Sequence, residues 1–182
     1  MRSDNLDGAD NQQERLITTG WVVGFVDGEG CFSIGFVRQP DRRDRKGYTA
    51  GYQVFHRFVV TQGARSADCL RELRDFFGAG RIYVNRRHDN HKEDLHQFIV
   101  GRRDELIERI VPFFREHPLR SAKRDDFEKF ALCLERISTG DHLTACGLIE
   151  IAEVAQTMNH RKPRQDLIRI LRGHTPDIRD TG

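Results

Sequence analysis

The ten-residue stretch from Trp21 to Gly30 limits the possible folds more than any other part of the chain. It reads as a short apolar helix that ends in acidic residues and glycines, and a strand-like segment, residues 31–37, follows at once. Gly24 and Gly28 lie four residues apart and therefore on one face of that helix. Because glycine has no side chain, a second helix can approach this face almost to backbone contact. We therefore predict that the helix forms an interface.

The end of this helix offers oxygen ligands to a metal ion. Glu29 lies between Gly28 and Gly30, on backbone that is free to turn and to expose a carbonyl group. Magnesium in proteins is typically held by one or two carboxylates and several waters. If two copies of the helix pack through their glycines, two such carboxylates converge. The alternative is that Asp-Gly before a strand forms only a turn.

Size and composition indicate one domain. The chain has 182 residues, of which 37% are hydrophobic, which is enough for one core. We predict a single domain over residues 14–172 between disordered tails at 1–13 and 173–182. No apolar run approaches the ~20 residues of a membrane span, and the acidic start is unlike a secretory or transit peptide. We expect an intracellular protein, of a bacterial cytoplasm or an organelle, without a membrane partner.

Two further properties concern redox state and charge. The four scattered cysteines are typical of reduced core residues rather than disulfides or zinc ligands. From Arg38 to Arg103 the sequence has 15 Lys and Arg against 8 Asp and Glu, a local charge of +7, while the remainder carries −5. A basic middle between acidic flanks favours a surface that faces a polyanion, most simply nucleic acid. The alternative is a solvated, arginine-rich face.

Hydrophobic periodicity predicts an α+β fold in the order αββαββα, with additional C-terminal helices. One glycine-faced helix and two long hairpins form half of a saddle, and a second chain would supply the other half. The predicted strands are residues 32–37, 48–61, 81–87 and 94–100, and the later helices are 66–77, 104–116, 121–137, 143–158 and 166–171.

Three side-chain orientations follow from these periods. His56 shares the core face of its strand, where a buried, hydrogen-bonded histidine is favoured over a metal ligand. Val84 alternates with outward polar residues and is expected to point inward. Ile107 is expected on the apolar side of its helix.

The outward residues of the two hairpins suit duplex DNA, because a two-stranded ribbon fits the major groove. Helix-turn-helix, zinc-finger and RNA-recognition signatures are absent from the sequence. The candidates are Arg57, Arg81 and Arg87 for guanine, Gln53 and Asn85 for adenine, Val37, Phe55 and Tyr83 for thymine methyl groups, Arg42, Arg43, Arg45, Lys46 and Arg86 for phosphate, and Ser33, Gln39 and His96 for further contacts.

Residues Val22–Gly30 resemble the nine-residue signature of the LAGLIDADG homing endonucleases. Gly24, Asp27 and Gly30 are identical to it, and six mostly conservative substitutions fill the other positions. The order of elements also agrees, and the segments 60–62 and 118–127 resemble further family segments. The resemblance therefore covers about residues 21–171.

The resemblance implies roles for particular residues and a Mg²⁺ or Mn²⁺ cofactor. Glu29 would be the metal ligand and the Gly28 carbonyl a second donor, Gln62 would order or polarise water, and Lys123 would be the cation near the scissile phosphate, with Arg120 as its rival. One motif in a chain of this size implies a homodimer, and its expected interface residues are Trp21, Gly24, Phe25 and Gly28.

We therefore expect an intron-encoded, homodimeric, metal-dependent endonuclease that makes a staggered double-strand cut in a long, partly palindromic DNA site. Two alternatives stay open. The first is a non-cleaving nucleic-acid-binding protein on the same scaffold, an intron-splicing maturase or a transcriptional regulator, and only the maturase would bind RNA. The second is an interaction module whose glycine helix only dimerises, which the local charge of +7 disfavours.

Overall fold

The computed structural model describes residues 4–39, 51–86, 93–159 and 164–173, and its elements follow the predicted αββαββα order. The α+β prediction is confirmed. The elements are α1 (Asp4–Glu29), β1 (Gly30–Arg38), β2 (Tyr52–Gly63), α2 (Ala67–Phe77), β3 (Arg81–Asn85), β4 (Leu95–Val100), α3 (Arg103–Glu105), a π-helical turn (Leu106–Ile110), α4 (Val111–Glu116), α5 (Lys123–Thr139), α6 (Ala145–Ala155) and α7 (Gln165–Gly173), with 3₁₀ turns at Ala64–Ser66 and Asp141–Leu143.

The strands form one sheet in the order β1-β2-β4-β3. Strands β3 and β4 are antiparallel, and Arg81 pairs with Ile99, Tyr83 with Gln97 and Asn85 with Leu95. The chain forms two compact units. The first comprises Met1–Cys31, Val59–Val100 and Asp104–Arg124, and the second comprises Phe32–Phe58, Gly101–Arg103 and Asp125–Gly182.

The first unit buries the apolar side of α1 with α2, β4 and the helices after it. Helix α2 turns Leu70, Leu73 and Phe77 inward at helical spacing, as predicted, and Gly78 ends it in the left-handed conformation (φ 57°) that glycine adopts without a steric penalty. The fully or almost fully buried residues of the first unit include Val22, Val26, Val60, Leu70, Leu73, Phe77, Phe98, Val100, Leu106, Ile110, Phe114 and Leu119.

The second unit is built around Phe32. Its ring stacks on Phe58 with centroids 4.9 Å apart and meets the edge of Phe127 at 5.3 Å. Two side chains from the C-terminal part of the chain also bind β1: Asn159 Nδ2 donates to the Phe32 carbonyl and Arg164 Nη2 donates to the Ile34 carbonyl, both at 2.5 Å. These bonds satisfy carbonyl groups that a strand at the edge of a sheet would otherwise leave without a backbone partner.

Helix α1 is longer than the sequence predicts. Residues 4–13, expected as part of a disordered tail, belong to the helix, while residues 174–182 of the expected C-terminal tail lie outside the described residues. The N-terminal part lacks an apolar period, and the pattern on which the prediction relied therefore could not reveal it. Helix propensity is no clear guide either, since Gln12 and Gln13 favour a helix while Gly8 and the Asp and Asn residues of the segment disfavour one.

The predicted helix 104–116 contains a π-helical turn. Pro112 has no N–H and cannot donate to the carbonyl four residues earlier, and the preceding Val111 N–H bonds to the Leu106 carbonyl five residues earlier. The π turn changes which residues face inward. Leu106 and Ile110 are buried, but Ile107 is 39% exposed, and its predicted core position is wrong.

Two other predictions, the burial of Val84 and the hydrogen bonding of His56, need correction. Val84, expected to point inward, is 51% exposed near the end of β3, where the short strand leaves it little cover. His56 faces the core side of β2 and is half-buried, but its buried Nδ1 has no hydrogen-bond partner among the described residues. Burial lowers the His56 pKa, and the nearby Arg103 and His142 lower it further.

The cysteine prediction holds in part. No disulfide joins the four cysteines, but Cys31 and Cys146 are exposed rather than core residues. Cys133 is buried in the second unit, and burial raises the pKa of its thiol to about 12. Within the described ranges, no helix combines the length and apolarity that crossing a membrane requires.

Candidate functional site

The C-terminal end of α1 concentrates negative charge. Asp27 and the exposed Glu29 lie in the last turn of the helix, which contains no basic residue. The carbonyl groups of a last turn carry a partial negative charge, and two carboxylates there are electrostatically unfavourable without a cation. This helix end is therefore suited to binding a positive group.

Lys123 supplies a positive group from the start of α5. Its Nζ donates to the carbonyls of Val26 and Gly28, each at 3.1 Å. The ammonium group thus satisfies two carbonyls of the last turn and offsets its charge, much as a basic residue within the helix would. The lysine that the sequence predicts beside the active site lies next to the backbone that carries Glu29.

Asp27 fixes the turn that leads to Lys123. Its carboxylate accepts hydrogen bonds from the N–H groups of Arg120 and Ser121, each at 3.1 Å, and from the Ser121 hydroxyl at 2.5 Å. The Ser121 hydroxyl oxygen in turn accepts from the Lys123 N–H at 3.2 Å. Partial burial opposes ionisation, but these bonds from Ser121 and Arg120, with Lys123 nearby, hold the Asp27 pKa below its ordinary value.

The sequence alone gives Asp27 no role beyond its identity in the motif. Two signals could have found it: a serine two residues before the predicted lysine, and the bare backbone donors expected just before a helix. Arg120 contributes its backbone N–H to this turn, while its side chain is exposed. Gln62 is half-buried in β2, and no hydrogen bond in the described part of the chain joins it to Asp27 or Lys123.

The glycine face of α1 is open. A Cβ atom built on Gly20, Gly24 or Gly28 would meet nothing within 4 Å. A groove of about 470 Å³ runs along this face, and Trp21 and Phe25, both half-exposed, stack beside it at 5.2 Å. The groove is lined by Leu16, Thr19, Gly20, Val23, Gly24, Asp27, Glu116, His117, Pro118 and Arg120.

In the second unit, the candidate DNA-contacting residues of β1 and β2 lie on one face. Gln39 Nε2 donates to Gln53 Oε1 at 2.9 Å, and Val37 is 46% exposed. The guanidinium carbon of Arg57 lies 5.0 Å from the centre of the Phe55 ring. Ser33 is half-buried on the same strand as Val37. Arg42, Arg43, Arg45 and Lys46 lie outside the described residues.

In the first unit, Arg81, Tyr83, Asn85 and Arg86 are exposed on and after β3, as predicted, while Arg87 lies outside the described residues. His96 pairs with Val84, and the alternation of side chains therefore places it on the face of Phe98, opposite Tyr83. Gln97, directly across from Tyr83, occupies the face that the sequence assigned to His96.

Comparison with known proteins identifies the family. The sequence model of the LAGLIDADG endonucleases matches residues 22–134, more than half of the chain. The chain belongs to the LAGLIDADG endonuclease family. Its match to the crystal structure of I-TnaI, a homing endonuclease, has 40% identity and a TM-score of 0.69 and covers 85% of this chain and 96% of the other.

Two other matches are to longer proteins. The I-LtrWI homing endonuclease bound to target DNA is 30% identical, with a TM-score of 0.69 over 80% of this chain and 45% of that one. A probable intron-encoded endonuclease of Neurospora crassa is 31% identical over 76% of this chain. The chain spans 26% of the Neurospora relative, about a quarter of its length.

The candidate site at the end of α1 offers few metal ligands from one chain. Glu29 contributes an exposed carboxylate, and the Gly28 carbonyl keeps a second lone pair besides the one that Lys123 engages. Within the described ranges, no group of three or more His, Cys, Asp or Glu side chains could hold a metal ion. This donor set fits a hard cation such as magnesium, which needs only one or two protein carboxylates and takes its remaining ligands from water and phosphate.

Proposed function

We propose that this chain is a metal-dependent DNA endonuclease that acts as a homodimer and makes a staggered double-strand break in a long, pseudo-palindromic site. The observation that carries the proposal is the arrangement at the end of α1, where Glu29 is exposed beside a lysine that bonds to the backbone on either side of Asp27. Like its intron-encoded relatives, the chain would be encoded in an intron and act within a cell or organelle.

The open glycine face supports the homodimer. A helix with three glycines at four-residue spacing and open space beyond each of them has room for a second α1. The twofold axis of such a pair would pass between the two helices and bring their Glu29 side chains towards each other. Each chain would then supply one carboxylate to a site that one chain leaves incomplete.

Each residue at the helix end would have a distinct task in the reaction. Glu29 and the Gly28 carbonyl would hold Mg²⁺ or Mn²⁺, which when bound neutralises charge on the phosphate and makes water more acidic. Lys123 would stabilise the negative charge that develops on the scissile phosphate. Asp27 would keep Lys123 in place by fixing the turn before it. Gln62 and Arg120 remain candidates for ordering water and for a second cation.

Duplex DNA is the proposed substrate because the exposed faces carry arginine and amide groups that suit base edges and phosphates. Arg57 lies on the outward face of the second unit, Arg81 lies on that of the first, and Arg86 is exposed directly after β3. The I-LtrWI relative, whose structure contains target DNA, supports this assignment.

The test uses a randomised duplex library with Mg²⁺ or Mn²⁺ and the full chain. Glu29→Gln removes the charge but keeps the shape, and we expect it to retain sequence-selective binding while cleavage falls by about a hundredfold or more. Glu72→Gln, an exposed glutamate of α2, is the matched control and should cleave like the wild type. Unchanged cleavage by Glu29→Gln would remove Glu29 from the mechanism, and a wild type that binds without cutting would favour the non-cleaving alternative.

A further inference from the structure

The outward face of the second unit contains a cluster of Gly35, Phe55 and Arg57 in which the Phe55 ring contacts both other residues. Gly35 lies on β1, and a Cβ atom added to it would be 1.9 Å from Cζ and 2.2 Å from Cε1 of the Phe55 ring. The Arg57 guanidinium in turn lies over that ring at 5.0 Å. The glycine and the cation therefore both lie against the same aromatic ring.

The glycine explains where the ring lies. Phe32 and Ile34 are the core positions of β1, and Gly35 falls on the opposite face by alternation, yet it is buried because the Phe55 ring covers it. Aromatic rings that cover a glycine on a neighbouring strand are a known means of fixing strand pairs. Phe55 is accordingly half-buried, and Gly35 lies against its ring.

This placement argues against the simple assignment of Phe55 to a thymine methyl group. The Phe55 ring is in contact with Gly35 and Arg57 and is half-buried. The Arg57 side chain, in contrast, is exposed. Within the described ranges, no carboxylate forms an ion pair with Arg57. Its charge and its donors are therefore available to another molecule.

We propose that Phe55 is a positioning residue that holds Arg57 for bidentate recognition of one guanine per half-site. This inference rests on the proposed function, since it requires sequence-selective binding of duplex DNA. The guanidinium is a rigid planar fork, and bidentate bonding to guanine N7 and O6 requires that its plane be set. A cation over an aromatic ring is attracted to it, and the contact removes rotamer freedom before DNA arrives.

The experiment selects duplexes from a randomised library with the full chain and compares base preferences at every position. Arg57→Ala should lower the preference for guanine at one base pair of each half-site by about 5-fold to 150-fold. Phe55→Leu should lower the preference for guanine at the same base pair by about twofold to fivefold, because the Arg57 guanidinium remains but no longer packs against an aromatic ring. Adding Phe55→Leu to Arg57→Ala should change nothing further at that pair.

Two more variants keep the test decisive if Phe55→Leu folds poorly. Gly35→Ala must push the ring off β1 and should weaken the same base preference, while Arg57→Lys keeps the charge but lacks the fork and should lose the preference for guanine. Phe36→Leu removes a neighbouring ring from the core side of β1 and should leave the preference intact. Thermal denaturation of each variant checks that it is folded.

The outcomes separate the inference from the proposed function. A wild type that selects no duplex sequence would overturn the proposed function and this inference together. A wild type that selects a site, with Phe55→Leu acting at a different base pair from Arg57→Ala or having no effect, would overturn the inference alone. The same holds if Arg57→Ala leaves every base preference unchanged.

Discussion

At the scale of single residues, the Asp27 carboxylate connects the end of α1 to the turn before α5. It accepts two backbone N–H groups and one hydroxyl. Asp27→Asn removes the charge and turns one acceptor into a donor that faces other donors. Because hydrogen bonds to a charged group contribute more than neutral ones, we expect the free energy of unfolding in urea to fall by about 1–3 kcal/mol.

The matched control for this prediction is Asp125→Asn. Asp125 is 70% exposed and pairs with Lys129 one turn later in α5. Such surface pairs contribute about 0.5 kcal/mol or less. Equal losses of stability in the two variants would contradict the importance assigned to Asp27.

His56 and His142 predict how the stability of the second unit depends on pH. Burial, Arg103 and the mutual proximity of the two imidazoles lower the His56 pKa below its usual 6.5, and burial and Arg103 likewise lower that of His142, against an opposing effect of Asp141. The folded chain therefore keeps His56 neutral where the unfolded chain takes up a proton. The contribution of these histidines to stability should be constant above about pH 6.5 and should fall as the pH drops below it.

Urea midpoints measured at pH 8, 6.5 and 5 would check this expectation. His56→Gln cannot take up the proton and should flatten the acid side of the profile. His117→Gln, at the end of α4 in the first unit, is the control and should keep the wild-type slope. A profile that His56→Gln leaves unchanged would show that His56 is not responsible.

Among single residues, the sequence predicts those that belong to the nine-residue motif or to a segment that resembles the family. Lys123 bonds to the Gly28 carbonyl, next to Glu29, and the roles that the family resemblance implies for these two residues stay predictions. Asp27 was missed because its partners are 93 and 94 residues away and, apart from the Ser121 hydroxyl, are backbone groups, which leave no trace in residue types. His96 was misplaced because its face depends on strand register, and a shift by one residue reverses every side chain.

At the scale of elements, substitution of Gly24 in α1 should have opposite effects on the stability of an isolated chain and on the stability of the proposed homodimer. Gly24→Ala adds a Cβ atom that meets nothing within 4 Å. In an isolated chain it should stabilise the helix by about 0.5–1 kcal/mol, because alanine favours helices more than glycine does. In the proposed homodimer the added methyl group keeps the two backbones apart, and sedimentation should show a weaker dimer.

Gly173→Ala serves as the control, because it also adds a Cβ atom to a helical glycine that meets nothing, but at the end of α7. It should leave the association constant unchanged. An unaffected dimer in Gly24→Ala, together with higher stability, would place the interface elsewhere on the chain.

Element boundaries show where periodicity is informative. The helix from Ser66 to Phe77 was predicted almost to the residue, because Leu70, Leu73 and Phe77 mark its buried face and Gly78 marks its end. The start of α1 and the π turn near Pro112 were not predicted. The start of α1 has no apolar period to detect. The π turn arises near Pro112, which lacks an N–H, and the sequence does not show which neighbouring turn changes its hydrogen bonds.

At the scale of the whole molecule, the basic middle of the sequence predicts salt-dependent DNA binding. The local charge between Arg38 and Arg103 is +7, although the net charge of the chain is only +2. If a dimer neutralises about six to ten phosphates, counterion release should weaken binding by roughly a thousandfold or more as the salt concentration rises from about 50 to 200 mM. Fluorescence anisotropy with a labelled duplex would measure this slope.

Two exposed arginines separate the contribution of the proposed DNA face from that of total charge. Arg86, the phosphate candidate, is exposed directly after β3, whereas Arg71 forms an ion pair with Asp68 on α2. Each alanine substitution removes one positive charge per chain. If Arg86 binds one phosphate, Arg86→Ala should reduce the slope of log K against log salt by about 1 per chain, or about 2 in a dimer, while Arg71→Ala should preserve it. Equal changes in the two variants would mean that net charge, rather than the position of Arg86, determines the affinity for DNA.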